Sequence, residues 1–304
     1  MANYEHYKIF CKIVECQSIS KAAEKLYVSQ PAISLAVKQL ETTLNVKLFF
    51  RNQRGVNLTM EGRLLYDYVK QGCNMIRAGE EKLKEIDTLE VGEISIGASD
   101  MTLRFFLLPF IEKFYKDFPS LKIKISNATT PETLQHLKDG MIDFGVISEP
   151  FDKDNSNFNF KPVKFFRDIL IAGNKFDIDS LDVKDLPKFP FIMLERGTST
   201  RLYIEKYLKE NNVPLIPEIE LALSDLIVEF VKRGMGIGFI VDDFAAAELA
   251  NGTIHRINLT PELKPRQFYI ATNAKVPITS ASKKLLEFNG IDTSDFEHDF
   301  SVFD

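Results

Sequence analysis

Eight hydroxyl side chains stand where a strand-like run gives way to a helix-like one. They are Ser99 and Thr102 in "SDMT", Thr129 and Thr130 ahead of Pro131, Thr198, Ser199 and Thr200 in "ERGTST", and Ser224 ahead of Asp225. The chemistry open to such a set is recognition, not bond-making. A hydroxyl at a helix start accepts from the first unpaired N–H groups as a cap, and the same N–H groups with the helix dipole can hold an anion. Taken singly, Thr130 and Ser224 read as caps. Taken together, the eight converge in any α/β fold that gathers the carboxyl ends of its strands at one cleft. Residues of covalent or metal chemistry make no comparable set. His6, His136, His255 and His298 lie on unrelated segments, with no Cys or carboxylate at metal spacing. Cys11, Cys16 and Cys73, an odd number outside metal spacing, suit a reducing compartment, with Cys11 and Cys16 packed in the first helix, and residues 91–304 hold no cysteine. "GMGIG" (234–238) precedes a strand-like run instead of following one, so a dinucleotide-binding turn fails, and the chain has no P-loop or GxSxG elbow. No catalytic residue, metal ligand or cofactor is assigned.

A second constellation lies near the N-terminus. "SISKAAEKLYVSQPAISLAVKQLE" (18–41) holds two amphipathic stretches around a short polar turn. A first helix over 3–15 precedes them, with Tyr4, Tyr7, Ile9 or Phe10, Cys11 and Val14 as its apolar stripe. Ser18 or Ser20 caps the second helix, whose inward face is Ala22, Ala23 and Leu26, and Val28 plugs the corner. Ser29 or Gln30 caps the third, Pro31 fits its first turn, and Ile33, Val37 and Leu40 point inward. Positions 30, 34, 35 and 38 are left facing out. This is a helix-turn-helix, and Ser29, Gln30, Pro31, Ser34 and Lys38 are placed to meet a major groove. "LNVKLFFRNQRGVNLT" adds a hairpin, a wing that carries Arg51 and Arg54 to phosphates or a minor groove. Charge agrees. The chain carries −5, yet residues 1–60 hold eight Lys/Arg against four Glu, a balance of +4 that leaves −9 on the rest. A small basic module on a larger acidic one fits a polyanionic partner for the first alone.

Ala22-Ala23, Leu26, Ser29-Gln30-Pro31-Ala32, Ser34, Leu40-Glu41, Leu48-Phe49, Arg51, Leu58-Thr59 and Gly62 occur in the order of a known signature. This N-terminal stretch resembles that of the LysR-type transcriptional regulators. Leu35 departs from the pattern, standing where that family often has a basic residue. "LLPFIEKFYKDFPSLKI", "LKDGMIDFGVI" and "VKRGMGIGFIVDD" are similar to the family's effector domain, so the resemblance spans nearly the whole chain.

The remaining organisation follows from periodicity. Thr59 caps a proline-free helix reaching about residue 88, with Leu65, Tyr68, Met75, Leu83 and Ile86 at 3–4 spacing and Gly72 and Gly79 between them. Each glycine costs about 0.5–1 kcal/mol against alanine in a helix, which close approach of a second helix would offset. The resemblance implies a dimer-forming linker here. Residues 93–148 alternate strand and helix as βαβαβ, a parallel sheet covered on both faces, and residues 189–241 repeat the pattern. Residues 159–173 and 265–273 are long enough to cross between the halves. The expected fold is α/β: a winged helix-turn-helix over 1–62, a linker helix over 59–90, and over 91–304 a two-lobed, type 2 periplasmic-binding-protein-like effector domain. The expected function is a ligand-controlled, sequence-specific DNA-binding transcription regulator of the LysR type, acting in the cytoplasm as a homodimer or homotetramer. Its partners are double-stranded promoter DNA and a small polar effector, expected to bear a carboxylate, with no membrane partner. A cytoplasmic solute-binding protein or an enzyme built on the clamshell would share the second domain but not the basic winged one.

Overall fold

Asn3 opens the first helix, α1 (Tyr4–Cys16), by accepting the Glu5 N–H on its side chain at 3.1 Å. The computed structural model describes residues 3–52, 55–86, 92–214 and 216–296. These fall into two compact units, Met1–Asp87 and Thr88–Asp304.

In the first unit α1 buries Phe10, Cys11 and Ile13, so the inward stripe includes Ile13 and omits Tyr4, which is exposed. Ser18 caps α2 (Ile19–Leu26), accepting the Lys21 N–H at 3.3 Å, and Ala22 and Ala23 are its buried face. Their small side chains let α2 pack close to α3 (Gln30–Leu44), which buries Ile33, Ala36, Val37 and Leu40. Val28 does not plug the corner. It is 44% exposed, because Tyr27 adopts a left-handed φ of 54° and turns the chain outward. β1 (Phe49–Asn52) and β2 (Gly55–Leu58) form the antiparallel wing, with Arg51 opposite Val56.

Glu41 ties wing to helices. Its carboxylate accepts the Leu48 N–H at 2.9 Å and the Phe49 N–H at 3.4 Å, and pairs with Lys47 at 2.7 Å. Thr59 caps α4 (Met60–Ile86) by accepting the Gly62 N–H at 2.9 Å, while its own hydroxyl donates to the Lys47 carbonyl. A Cβ on Gly62 would stand 2.1 Å from the Leu48 carbonyl oxygen, which is why glycine is required there. Leu65 and Val69 pack inward against the Phe10 cluster. The outward stripe of α4 is instead Leu64, Tyr68, Ile76 and Leu83, all exposed, with Gly72 and Gly79 in register and open space at both glycines.

The second unit has two lobes, each a mixed sheet with helices on its faces. The first contains β3 (Glu93–Ala98), α5 (Asp100–Thr102), a π-helical turn (Leu103–Leu107), α6 (Leu108–Asp117), β4 (Lys122–Asn127), α7 (Thr130–Lys138) and β5 (Phe144–Ser148). Pro109 explains the π turn: it has no N–H for the Phe105 carbonyl, which accepts the Lys164 ammonium at 3.0 Å instead. β6 (Phe158–Phe166) and β7 (Asp168–Gly173) carry the chain into the second lobe. There follow β8 (Ser180–Asp182), β9 (Phe191–Leu194), α8 (Ser199–Glu210), β10 (Ile219–Leu221), α9 (Ser224–Lys232), β11 (Ile237–Val241), α10 (Asp242–Ala250) and β12 (Ile254–Thr260). β13 (Arg266–Asn273) and α11 (Ser280–Phe288) return to the first lobe.

Strand orders are β4-β3-β5-β13-β6 and β10-β9-β11-β7-β12-β8. The expected parallel sheets are therefore corrected to mixed ones. β4-β3-β5 and β10-β9-β11 are parallel, and the crossover segments join as antiparallel strands β13 and β7 beside β5 and β11. β8, α10 and β12 had no counterpart in the sequence reading. Ile94, Ile96, Phe144 and Phe268 centre one core, and Phe191, Phe239 and Ile204 another.

Burial alone would raise the Glu41 carboxyl, but the Lys47 ammonium and the two N–H donors outweigh it and hold the group below its ordinary value of 4.5. A carboxyl lowered on folding stabilises above its unfolded value and loses that contribution as pH falls through the folded one. Glu41→Gln should destabilise the first unit by about 1–3 kcal/mol at pH 7. It should also flatten the decline below pH 4.5, as read from urea melts of the intact chain; an unchanged acid limb would contradict this.

Candidate DNA interface and effector cleft

At the N-terminal unit, the Ser29 hydroxyl accepts the Ala32 N–H at 3.4 Å and so caps α3, directly ahead of Gln30 and Pro31. Ser20 donates to Gln30 Oε1 at 3.4 Å, joining α2 to the start of α3 and leaving the Gln30 amide NH2 to donate elsewhere. Gln30, Pro31 and Lys38 are exposed and Ser34 half-buried; Pro31 and Lys38 lie on the side of α3 away from Ile33, Val37 and Leu40, and Gln30 and Ser34 flank that buried stripe. Arg51 holds its place in the wing ladder, and Arg54 lies outside the described residues.

In the second unit, a cavity of about 240 Å³ lies where helix starts of both lobes meet. Ser99, Thr129, Thr130, Thr198, Ser199, Thr200 and Ser224 line it. Thr102 does not. It is fully buried, and its hydroxyl accepts the Ser99 N–H at 2.9 Å and donates to the Ser99 carbonyl in a reciprocal cap, so its place among the cleft hydroxyls is corrected. Several of the other hydroxyls are also committed. Thr130 exchanges hydrogen bonds with the Ser148 backbone, Thr129 donates to Glu132, and Thr198 caps α8 at the Arg201 N–H. Ser199 and Ser224 differ. The Ser148 hydroxyl reaches Ser199 at 2.7 Å across the two lobes, and Ser224 is the first residue of α9 instead of its cap, which is Leu223.

The lining is acidic. Asp100, Glu132 and Glu195 border the cavity, with no Lys or Arg in its lining among the described residues. Hydrogen bonds from the Thr129 N–H and hydroxyl hold Glu132 below its ordinary value. Asp100 accepts from Arg104 at 2.8 Å, and its other oxygen is buried with no partner among the described residues. Arg104 reaches on to Asp225 at 3.6 Å, bridging the lobes. Arg201, in the first turn of α8, is 3% exposed and turned to Glu205, Glu220 and the Leu194 carbonyl.

Behind the cleft sits a group that the sequence did not flag. Arg266 is 2% exposed and pairs with Asp168 through two bonds of 2.6 and 2.7 Å. It also donates to the Thr200 hydroxyl at 2.9 Å and to the Glu149 carbonyl, and lies between the rings of Phe166 and Tyr203. A larger hollow, about 580 Å³, opens on the far side of Arg266 among Tyr203, Tyr207 and Lys206. There the tyrosine hydroxyls are bound to the Lys264 and Pro261 carbonyls, and α8 presents its middle, not its N–H groups. The smaller cavity has the convergent chemistry.

Two family models match. Residues 4–63 fit the "Bacterial regulatory helix-turn-helix protein, lysR family", and residues 87–289 fit the "LysR substrate binding domain". The chain belongs to the LysR family. It is a LysR-type transcription regulator, with a DNA-binding helix-turn-helix and an effector-binding domain. A probable RuBisCO transcriptional regulator of Cyanidium caldarium is 28% identical, over 84% of this chain and 83% of that one. The transcriptional activator CmpR of Synechocystis is 23% identical over 99% and 97%. Full-length CbnR, solved in complex with its target DNA, has the same fold at a TM-score of 0.66, 18% identity and 94% and 98% coverage. The regulatory domain of Synechocystis CcmR, solved in complex with 2-PG, matches at 0.58 and 18% over 64% of this chain and 94% of that one.

Removing one partner of a buried ion pair leaves the other charge uncompensated, at about 3–5 kcal/mol. Asp168→Ala should therefore destabilise the effector domain of this LysR regulator by that amount in calorimetric melts, and a loss under 1 kcal/mol would show Arg266 to be held by its other bonds.

Proposed function

We propose that this regulator contacts promoter DNA through Gln30, Pro31, Ser34 and Lys38 on α3, with Ser29 at the cap and Arg51 and Arg54 on the wing. A metabolite held between the lobes controls it. The observation carrying the effector reading is the meeting of the α7, α8 and α9 starts and the Ser99 cap at one 240 Å³ cavity. That volume equals about eight waters at ~30 Å³ each, which suits a small ligand. Helix starts favour a carboxylate, and the carboxylates of Asp100, Glu132 and Glu195 favour hydroxyl donors elsewhere on it. A small hydroxylated carboxylic acid fits both demands. The 2-PG complex of the CcmR domain supports a small effector in this fold.

Two copies would join through the exposed Leu64, Tyr68, Ile76 and Leu83 stripe of α4, where Gly72 and Gly79 leave room for a second helix. The result is a homodimer, or a homotetramer if the effector domains pair as well. Ile76→Glu should shift the protein towards monomer in light scattering; an unmoved mass would place the seam elsewhere.

The regulator is not itself an enzyme in this reading. The described hydrogen bonds of the cleft hydroxyls run to the Thr102 and Ser148 hydroxyls, to backbone, to Glu132 and to Arg266, none to an imidazole. No helix among the described residues is long and apolar enough to cross a membrane, and a partner of promoter DNA works in the cytoplasm.

Gel shifts with upstream DNA over a salt series test the DNA face. Lys38→Ala should weaken binding to all sequences and reduce the salt slope by about 1, as loss of one phosphate contact does. An altered base preference at unchanged slope would make Lys38 a base reader instead. For the effector, Ser199→Ala and Ser224→Ala should each lower the affinity of a hydroxy acid found by thermal-shift screening about two- to tenfold, one hydrogen bond's worth. DNA binding without ligand should persist. Unchanged affinity in both would leave these hydroxyls outside the site.

A further inference from the structure

Leu35 is the least expected residue of the recognition surface. Its side chain is 56% exposed on α3. At 100° per residue, it points within about 20° of the direction opposite the buried stripe of Ile33, Val37 and Leu40. Pro31 lies one turn before it and Lys38 one turn after, and both are exposed. An isolated surface leucine is ordinary on most helices. On this one it occupies the middle of the face that enters the major groove.

What meets it there is constrained by solvation. The groove floor is a row of hydrogen-bond donors and acceptors, interrupted by one apolar group, the 5-methyl of thymine. An isobutyl group laid against donors and acceptors would strip them of water without replacing their hydrogen bonds, which is unfavourable. Laid against a methyl it removes apolar surface from water. The neighbouring polar groups act differently, since Gln30 has an amide NH2 to donate and Lys38 an ammonium for phosphate.

We propose that Leu35 is a specificity-determining residue that selects thymine at one position of each half-site by contact with its 5-methyl group. The inference rests on α3 being the recognition helix. Leu35 supplies a preference that a basic side chain at this position would replace with a hydrogen bond to guanine.

The test uses the full-length protein and a duplex selected by it from a random pool. Each thymine is replaced in turn by deoxyuridine, which removes the methyl and nothing else. One position per half-site should lose affinity about three- to fivefold, the effect of one buried methyl. Leu35→Ala should bind thymine and deoxyuridine duplexes equally, and Leu35→Met should keep the discrimination. Leu35→Arg should move the preference at that position towards guanine. Circular dichroism melts should be the same for all four proteins, because the side chain is exposed. Uniform tolerance of deoxyuridine by the parent protein, or full discrimination retained in Leu35→Ala, overturns the proposal. Failure to select any preferred duplex would overturn the DNA-reading assignment of α3 itself.

Discussion

The effector domain depends on one buried ion pair, Arg266 with Asp168. Arg266 begins β13 and stands opposite Phe166 in the first sheet, and Asp168 begins β7 and stands opposite Val241 in the second. The pair thus joins the two sheets at the point where the chain crosses between lobes both times. A guanidinium taken out of water needs each donor met, and carboxylate, hydroxyl and carbonyl acceptors surround this one, with a ring on either face. Few geometries satisfy so many bonds at once. The spacing of the lobes is restricted accordingly.

One of those bonds runs to Thr200, which lines the 240 Å³ cavity between the lobes. A ligand that draws α8 towards the first lobe therefore acts on the same hydroxyl that the buried arginine holds. The Ser148–Ser199 hydrogen bond and the Arg104–Asp225 contact also cross the cleft. A ligand biases a two-state protein only through contacts that differ between states, and these cross-lobe bonds are where such differences arise. The border of that cavity is acidic, with Asp100, Glu132 and Glu195 on it.

The DNA-binding unit is organised around a smaller version of the same device. Glu41 sits at the end of α3's buried stripe and takes the first N–H groups of the wing, so helix and hairpin are fixed to each other. Thr59 and Gly62 bring α4 against the same Leu48 backbone. α3, the wing and α4 thus share one anchoring point.

Local patterning determined much of this from the sequence alone. A cap at Ser18 or Ser20 and another at Ser29 or Gln30, Pro31 in a first turn and the apolar spacing of α3 are decided within a few residues, and helices form or fail on such short-range terms. The strand-to-helix junctions were legible for the same reason, and seven of the eight hydroxyls singled out there line the cavity. What needed tertiary structure was anything set by residues far apart in the chain. Arg266 and Asp168 are 98 residues apart, and Ser148 and Ser199 are 51, with no periodicity to link either pair. Thr102 and Ser224 show the limit at close range. Both stand beside a helix start, yet only packing decided that the first hydroxyl turns into its own cap and the second borders the cleft. The antiparallel β13 and β7 were also beyond periodicity, because an alternating run fixes that a strand exists but not the direction of its neighbour.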